Sequence, residues 1–125
     1  MKKQVFSISN RLKSFKHAGN GLRIFIREEH NARIHFLIAF VVIIMAFYFR
    51  IDVIEWVAIL FAIGFVLTTE IINTALENIC DLISKERNER IKTIKDLSAA
   101  AVLISAITAL VIGIIVFLPK LFTLK

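Results

Sequence analysis

The chain has 125 residues, of which 58% are hydrophobic and 21% are charged, and its formal net charge is +6. This apolar fraction excludes an ordinary soluble domain of this size, and the single cysteine, Cys80, excludes an internal disulfide and a cysteine-based metal cluster. Beside apolar segments, the positive charge indicates an anionic lipid surface or a phosphate-bearing ligand rather than nucleic acid.

The N-terminal region, residues 1–30, has the pattern of an amphipathic helix. Apolar or small residues recur at steps of three and four and form one stripe along a helix. The stripe consists of Ile8, Leu12, Phe15, Gly19, Leu22 and Ile26. Because an apolar segment follows, we expect this helix to lie in the plane of the membrane surface. The alternative is a soluble helix that packs on a partner.

Three apolar segments follow, at 34–49, 53–83 and 97–119. The third has no charged residue and is long enough to cross a bilayer, which takes roughly 20 helical residues. With flanking residues included, the pattern predicts transmembrane helices at about 31–50, 53–83 and 96–119. We therefore expect an all-α integral membrane protein that forms a single membrane domain over residues 1–125.

The second segment is longer than a bilayer requires. Its 31 residues would extend about 46 Å as a helix, whereas the hydrocarbon core is roughly 30 Å thick. Because Glu77 and Asp81 lie near its C-terminal end, we expect that end to leave the hydrocarbon. The link at 50–52 is short, which predicts an antiparallel helix pair, and Asp52 is placed to cap the second helix.

Lysine and arginine residues predict the orientation of the chain. Residues 1–33 carry eight, residues 84–96 carry five, and the opposite side carries three, at Arg50, Lys120 and Lys125. This imbalance predicts a cytoplasmic N-terminus, a cytoplasmic 84–96 loop and an outside C-terminus.

A polar face interrupts the second apolar segment in the stretch EIINTALENICD, residues 70–81. On a helix, Glu70, Asn73, Glu77 and Asp81 fall within an arc of about 80°. A carboxylate in hydrocarbon is costly, so this face must meet protein, water or a cation. A polar seam between helices, or contact with the interface, would also account for it. Burial raises the pKa of a carboxyl group, which favours Glu70 as a general base.

Other polar residues lie at the same expected membrane level. Glu77 is about 10 Å nearer the water than Glu70 along the helix axis, where a carboxylate can hold Mg²⁺ together with phosphate oxygens. Glu29 precedes the first span, and Lys95 and Asp96 lie at the start of the third. There is no glycine-rich phosphate loop, so a nucleotide would be held by side chains and helix ends.

The stretch EIINTALENICD, followed by KDLSAAAVL, resembles the prokaryotic diacylglycerol kinase family, which includes the undecaprenol kinases. The family pattern is Glu, two residues, Asn, Ser or Thr, Ala, an aliphatic residue, Glu, and then Asp four positions on. GLR at 21–23 and Glu29 match the N-terminal part, and the resemblance covers about residues 11–119. The run EHNARIH, 29–35, is more similar to the undecaprenol kinase branch of Gram-positive bacteria.

This resemblance implies a homotrimer in the bacterial cytoplasmic membrane, with active sites shared between subunits on the cytoplasmic side. It implies transfer of the γ-phosphoryl group of ATP, with Mg²⁺, to a lipid alcohol. The alcohol would be diacylglycerol, giving phosphatidic acid, or undecaprenol, giving undecaprenyl phosphate. The residues alone do not distinguish these two substrates.

The resemblance also implies roles for individual residues. Glu70 matches the general base and Asn73 an active-site polar residue, and Glu29 and Glu77 match the metal ligands. The positions that match cofactor-binding residues are Arg11, Glu29, Glu77, Glu86, Lys95 and Asp96. The chain departs from the family pattern at Cys80, where Val is usual, and at Asn88, where many members have His.

Two other classes of protein fit parts of the pattern. A small proton-coupled multidrug-type transporter also carries a membrane-embedded glutamate, but it usually has four spans with the carboxylate near mid-membrane. A non-catalytic membrane interaction protein would use the polar face only for assembly. Dye efflux without ATP use distinguishes the first alternative, and effects of alanine at Glu70 and Glu77 on assembly alone distinguish the second.

Overall fold

The computed structural model describes residues 5–123, which fold into four consecutive α-helices. These are α1 (Ile8–Glu28), α2 (His30–Tyr48), α3 (Val53–Ile83) and α4 (Glu89–Phe122). Helices α2, α3 and α4 are long and apolar enough to cross a membrane, which confirms the expected all-α membrane class. Residues 1–4 of the expected surface helix, and Lys125 of the charge count, lie outside the described residues.

The first two helices are separated by one residue, Glu29. Its backbone is extended, at φ −100° and ψ 116°, so the helical path breaks there. The Arg33 guanidinium donates hydrogen bonds to the carbonyl oxygens of Ile26, at 3.0 Å, and Arg27. The last carbonyls of a helix have no partner within the helix, so Arg33 stabilises the end of α1 and the position of Glu29.

Helices α2 and α3 form a hairpin with a tight link. Arg50 adopts a left-handed conformation, at φ 51°, which reverses the chain. The Asp52 side chain accepts from the Glu55 backbone N–H at 2.9 Å, and the Glu55 carboxylate accepts from the Asp52 N–H at 3.0 Å. This reciprocal capping box confirms that Asp52 caps the second helix, because both side chains satisfy N–H groups that the helix leaves free.

Apolar and aromatic side chains cover this end of the bundle. The buried residues of the cluster are Ala46, Ile51, Ile59, Val116 and Phe117. The cluster draws on α2, the link, α3 and α4, so it holds the hairpin against the C-terminal half of α4.

Helices α3 and α4 pack against each other along much of their length. Polar contacts stabilise this pair inside the apolar region, where the Thr69 and Ser105 hydroxyl oxygens are 2.7 Å apart. Near the other end of α3, the Lys120 ammonium lies 3.0 Å from the Glu55 carboxylate. A hydrogen bond between membrane helices contributes roughly 0.6 kcal/mol on average.

Helix α4 begins before the expected membrane span at 96–119. The Asn88 side chain accepts from the backbone N–H groups of Arg90 and Ile91, at 2.9 and 3.4 Å, so the helix begins at Glu89. Lys95 and Asp96 therefore lie inside the helix rather than at its first turn. The polar segment is helical because Asn88 provides the cap and nothing between Glu89 and Lys95 breaks the helix.

Candidate active site

Glu70 is a buried carboxylate at the membrane-embedded end of the polar face. It lies on α3 and is 6% exposed. Its Oε1 atom is 2.8 Å from the Nε2 atom of His35, on α2. The hairpin places these two side chains together although they are far apart in sequence. A buried carboxylate must be hydrogen-bonded or paired, and His35 meets that requirement.

The sequence analysis did not identify His35 as a site residue. A signal was present, because His35 is an ionisable residue at the start of an apolar span, and a short link makes its helix antiparallel to the helix that carries Glu70. The register of the two helices decides whether the side chains meet, and the sequence pattern does not specify that register.

Asn73 lies one turn beyond Glu70 and contacts α4. The hydroxyl of Ser98, which is buried, donates to Asn73 Oδ1 at 2.7 Å. This bond fixes the orientation of the amide, because its oxygen is held toward α4 and its two N–H donors are left for another acceptor. Asn73 is therefore positioned on the same face as Glu70.

The water-facing part of the polar face carries the carboxylates Glu77 and Asp81, and Lys95 of α4 lies against it. Lys95 Nζ is 2.8 Å from Asp81 Oδ1. The hydrogen bond to Asp81 raises the pKa of Lys95 above its ordinary value, and the charge of Glu77 acts in the same direction. The lysine is therefore a fixed positive charge beside Glu77, although its hydrogen-bond partner is Asp81.

Asp96 has a different partner. It accepts from Lys92 at 2.8 Å in an exposed pair one turn apart on α4. The neighbouring residues Lys95 and Asp96 thus do not act as a pair. Lys95 is directed toward α3, and Asp96 lies along α4 beside Lys92.

Glu29 and Glu77 are both half-buried, and within residues 5–123 neither forms an ion pair. Over the same range, no three His, Cys, Asp or Glu side chains form a metal-binding group. Mg²⁺ commonly binds one or two carboxylates and completes its coordination with substrate phosphates and water. The carboxylate oxygens of Glu29 and Glu77 are the type of ligand that Mg²⁺ binds.

The remaining predicted residues lie on the periphery. Arg11 is exposed on α1, with its guanidinium carbon 5.5 Å from the centre of the Phe6 ring. Glu86 is exposed in the link between α3 and α4, where its backbone N–H donates to the Ser84 hydroxyl at 3.1 Å. In the described part of the chain, neither side chain forms a hydrogen bond or ion pair with the polar face of α3.

An apolar cavity of about 580 Å³ lies between α2, α3 and α4. Its walls are formed mainly by aliphatic and small side chains, including Ala39, Val66, Ala106 and Gly113. His35 is the one ionisable side chain that residues 5–123 contribute to the lining. The same imidazole that contacts Glu70 therefore also contacts the cavity.

The fold and the site together define a membrane protein with a candidate acid–base site. It has three membrane-spanning helices, a buried carboxylate with a polar partner and an adjoining apolar cavity.

The chain matches the profile of the prokaryotic diacylglycerol kinase family over residues 16–117. It is 39% identical over 109 residues to the undecaprenol kinase of Bacillus subtilis, covering 87% of this chain and 89% of that protein. It is 32% identical over 126 residues to the diacylglycerol kinase of Synechocystis sp., covering 99% of this chain and 72% of that protein.

The chain belongs to the prokaryotic diacylglycerol kinase family. It is a membrane-embedded lipid kinase, as the resemblance implied, and not a transporter or a non-catalytic interaction protein. Kinases in general use a nucleotide and a divalent metal ion.

Proposed function

We propose that this kinase transfers the γ-phosphoryl group of ATP to undecaprenol. The observation that carries the proposal is the position of Glu70, a buried carboxylate joined through His35 to an apolar cavity. The lining of the cavity includes α4 residues from Ala106 to Leu121, a distance of about 22 Å at 1.5 Å per residue. An elongated cavity of this kind suits one long hydrocarbon chain whose hydroxyl lies at Glu70.

In this mechanism Glu70 is the general base. It accepts the proton of the lipid hydroxyl, and the lipid oxygen attacks the γ-phosphorus of ATP. Asn73 presents its amide N–H groups near the reacting atoms, and the charge of Lys95 offsets negative charge on the transferring phosphoryl group. Phosphoryl transfer depends mainly on such positioning and electrostatic stabilisation.

Glu29 and Glu77 are the residues that would hold Mg²⁺, because both carboxylates lack an ionic partner in the described structure. When bound, the metal ion neutralises charge on the phosphate oxygens. Arg11, Glu86, Lys95 and Asp96 are the proposed nucleotide contacts. Arg11 and Glu86 carry exposed side chains that are available to a ligand.

We further propose that α1 lies on the cytoplasmic surface of the membrane. Its apolar stripe is exposed to solvent along most of its length, with Ile8 71%, Leu12 65% and Phe15 76% exposed. Burial of that stripe in the headgroup region would remove it from water. The positive-inside rule then places the N-terminus and the start of α4 in the cytoplasm and the C-terminus outside, with residues 1–125 forming one membrane domain.

The proposed assembly is a homotrimer with active sites shared between subunits. Large apolar side chains are exposed on α2, α3 and α4, including Phe40, Phe61 and Leu103. Lipid covers part of this surface, and two neighbouring copies would cover another part. Glu29, Arg11 and Glu86 make no described contact with Glu70 within one chain, so residues from another copy would complete the site.

The decisive experiment supplies purified protein with γ-labelled ATP, Mg²⁺ and either undecaprenol or diacylglycerol, and then separates the lipid products. We expect labelled undecaprenyl phosphate to form faster than labelled phosphatidic acid at equal lipid concentration. The opposite preference would overturn the assignment to undecaprenol while leaving the lipid kinase activity intact.

Diacylglycerol is the second candidate substrate. The observation that favours it is the match to the diacylglycerol kinase of Synechocystis sp., which covers 99% of this chain. The match to the undecaprenol kinase has higher identity, 39% against 32%, and it supports undecaprenol as the first candidate together with the elongated cavity.

A further inference from the structure

The contact between His35 and Glu70 has no role in the mechanism proposed above. The two side chains are 24% and 8% exposed, and their atoms Nε2 and Oε1 are 2.8 Å apart. Other polar side chains near Glu70 have different partners: Thr69 is bonded to Ser105, and Asn73 to Ser98. Within the described chain, His35 is therefore the side chain that bonds to the Glu70 carboxylate.

The two oxygens of Glu70 differ in their surroundings. Oε1 accepts the bond from His35, whereas Oε2 forms no side-chain hydrogen bond in the described structure. In residues 5–123, no fully buried side-chain oxygen or nitrogen lacks a hydrogen-bond partner. Oε2 is therefore not fully enclosed, so it is the oxygen that remains for a substrate hydroxyl.

We propose that His35 is a positioning residue for lipid phosphorylation, holding Glu70 so that Oε2 meets the lipid hydroxyl. The imidazole donates from Nε2 to Oε1 and thereby restricts rotation of the carboxylate about its last side-chain bond. This inference rests on the proposed role of Glu70 as general base. It adds a residue of α2 to a site that the sequence had placed on α3.

The position of His35 on the cavity wall gives the contact a second consequence. The hydrocarbon chain of the substrate passes the imidazole before its hydroxyl reaches Glu70, so one side chain orients the base and borders the substrate path. A hydrogen bond in such an apolar environment is stronger than the same bond in water. The carboxylate is therefore oriented before the substrate arrives.

The proposed phosphoryl transfer does not require His35 to gain or lose a proton. The proton of the lipid O–H moves to Glu70 Oε2, and the lipid oxygen forms a bond to the γ-phosphorus. The bond between the γ-phosphorus and the β–γ bridging oxygen breaks, and ADP leaves with that electron pair. His35 keeps its Nε2 proton throughout, so its contribution is orientation rather than proton transfer.

Two substitutions of His35 test this role because their side-chain amide nitrogens lie at different distances from Glu70 Oε1. In His35→Gln the amide nitrogen lies near the position of Nε2 and can donate to Oε1. In His35→Asn the shorter side chain reaches only the position of Nδ1. Loss of orientation by about 1 Å costs about 100-fold in rate. We expect kcat to fall about 100-fold in His35→Asn and less than about fivefold in His35→Gln, with the KM for ATP unchanged in both.

Ser105→Ala is the matched control. It removes the hydroxyl contact with Thr69 beside Glu70 but leaves the His35 contact intact, and we expect its kcat to equal that of the wild type. Trimer content and thermal unfolding in detergent are measured for all variants, and only variants that assemble as the wild type does are compared.

A kcat for His35→Asn that is less than about tenfold below that for His35→Gln would overturn the proposal, because donor reach would then be irrelevant. An equal, large loss in both variants has the same meaning. If the wild-type protein phosphorylates neither lipid, the proposed function fails before His35 is tested, so the two failures are distinguishable.

Discussion

The two ends of α3 carry the same kind of residue in opposite situations. At its N-terminal end, Glu55 is engaged twice, by the Asp52 backbone N–H and by the Lys120 ammonium. Toward its C-terminal end, Glu70 has one oxygen bonded to His35, and Glu77 has no ionic partner in the described structure. Both oxygens of Glu55 have hydrogen-bond partners, whereas Glu70 Oε2 and the Glu77 carboxylate can still accept a hydrogen bond.

This difference indicates that the stabilising contacts and the candidate catalytic carboxylates lie in separate parts of α3. The Glu55 end is closed by a capping box, an ion pair and the cluster around Phe117, and so the Glu55 carboxylate is already engaged. The polar face keeps carboxylate oxygens available for a proton, a metal ion or phosphate. Substitutions at the two ends should therefore affect different measurements.

The largest effect is expected for Glu70→Gln. The amide is nearly isosteric but cannot accept the lipid proton, so turnover should fall about 10³-fold, within the range for general bases. ATP binding should be largely intact, as measured by equilibrium binding of a labelled analogue. The matched control is Glu55→Gln at the other end of α3, which should keep normal turnover. Near-normal turnover in Glu70→Gln would show that Glu70 is not the base.

A smaller loss is expected for Glu77→Gln, because it removes a proposed metal ligand and not the base. The Mg²⁺ concentration for half-maximal activity should rise at least about tenfold, and excess Mg²⁺ should restore part of the rate. Asp81→Asn, one turn further along the same face, is the control for the change of charge. Unchanged Mg²⁺ dependence in Glu77→Gln would exclude it as a ligand.

Lys95→Met should reduce activity by about tenfold or less, because it removes one of several charges near the phosphates and leaves the base intact. The KM for ATP should rise more than kcat falls if Lys95 contacts the nucleotide. Lys92→Met, which breaks the exposed pair with Asp96, is the comparison. Equal kinetics for the two variants would contradict a specific role for Lys95.

The smallest effect on turnover is expected for Lys120→Met. It breaks the pair with Glu55, so thermal unfolding in detergent should shift down by a few degrees while kcat is unchanged. A double substitution with Glu55→Gln should show a coupling free energy of about 1 kcal/mol. A clear loss of lipid phosphorylation in Lys120→Met would remove the contrast between the two ends.

Much of the architecture was predictable from local patterns. The length and apolar content of the three spans, and the Asp52 cap, follow from spacing along the chain, because hydropathy and capping depend on near neighbours. The face shared by Glu70, Asn73, Glu77 and Asp81 follows from helical periodicity for the same reason. Hydropathy predicts the membrane span of α4 and not its helix boundary, which Asn88 sets outside the apolar segment.

The sequence by itself determined the membrane class, the acidic face and, through the motif on that face, the resemblance to a lipid kinase family. Only the tertiary structure decided which partner each polar residue has: His35 for Glu70, Ser98 for Asn73, and Asp81 rather than Asp96 for Lys95. The physical reason is that these contacts depend on the register between packed helices. That register is set by the whole set of packing contacts along α2, α3 and α4 and not by any local stretch of the chain.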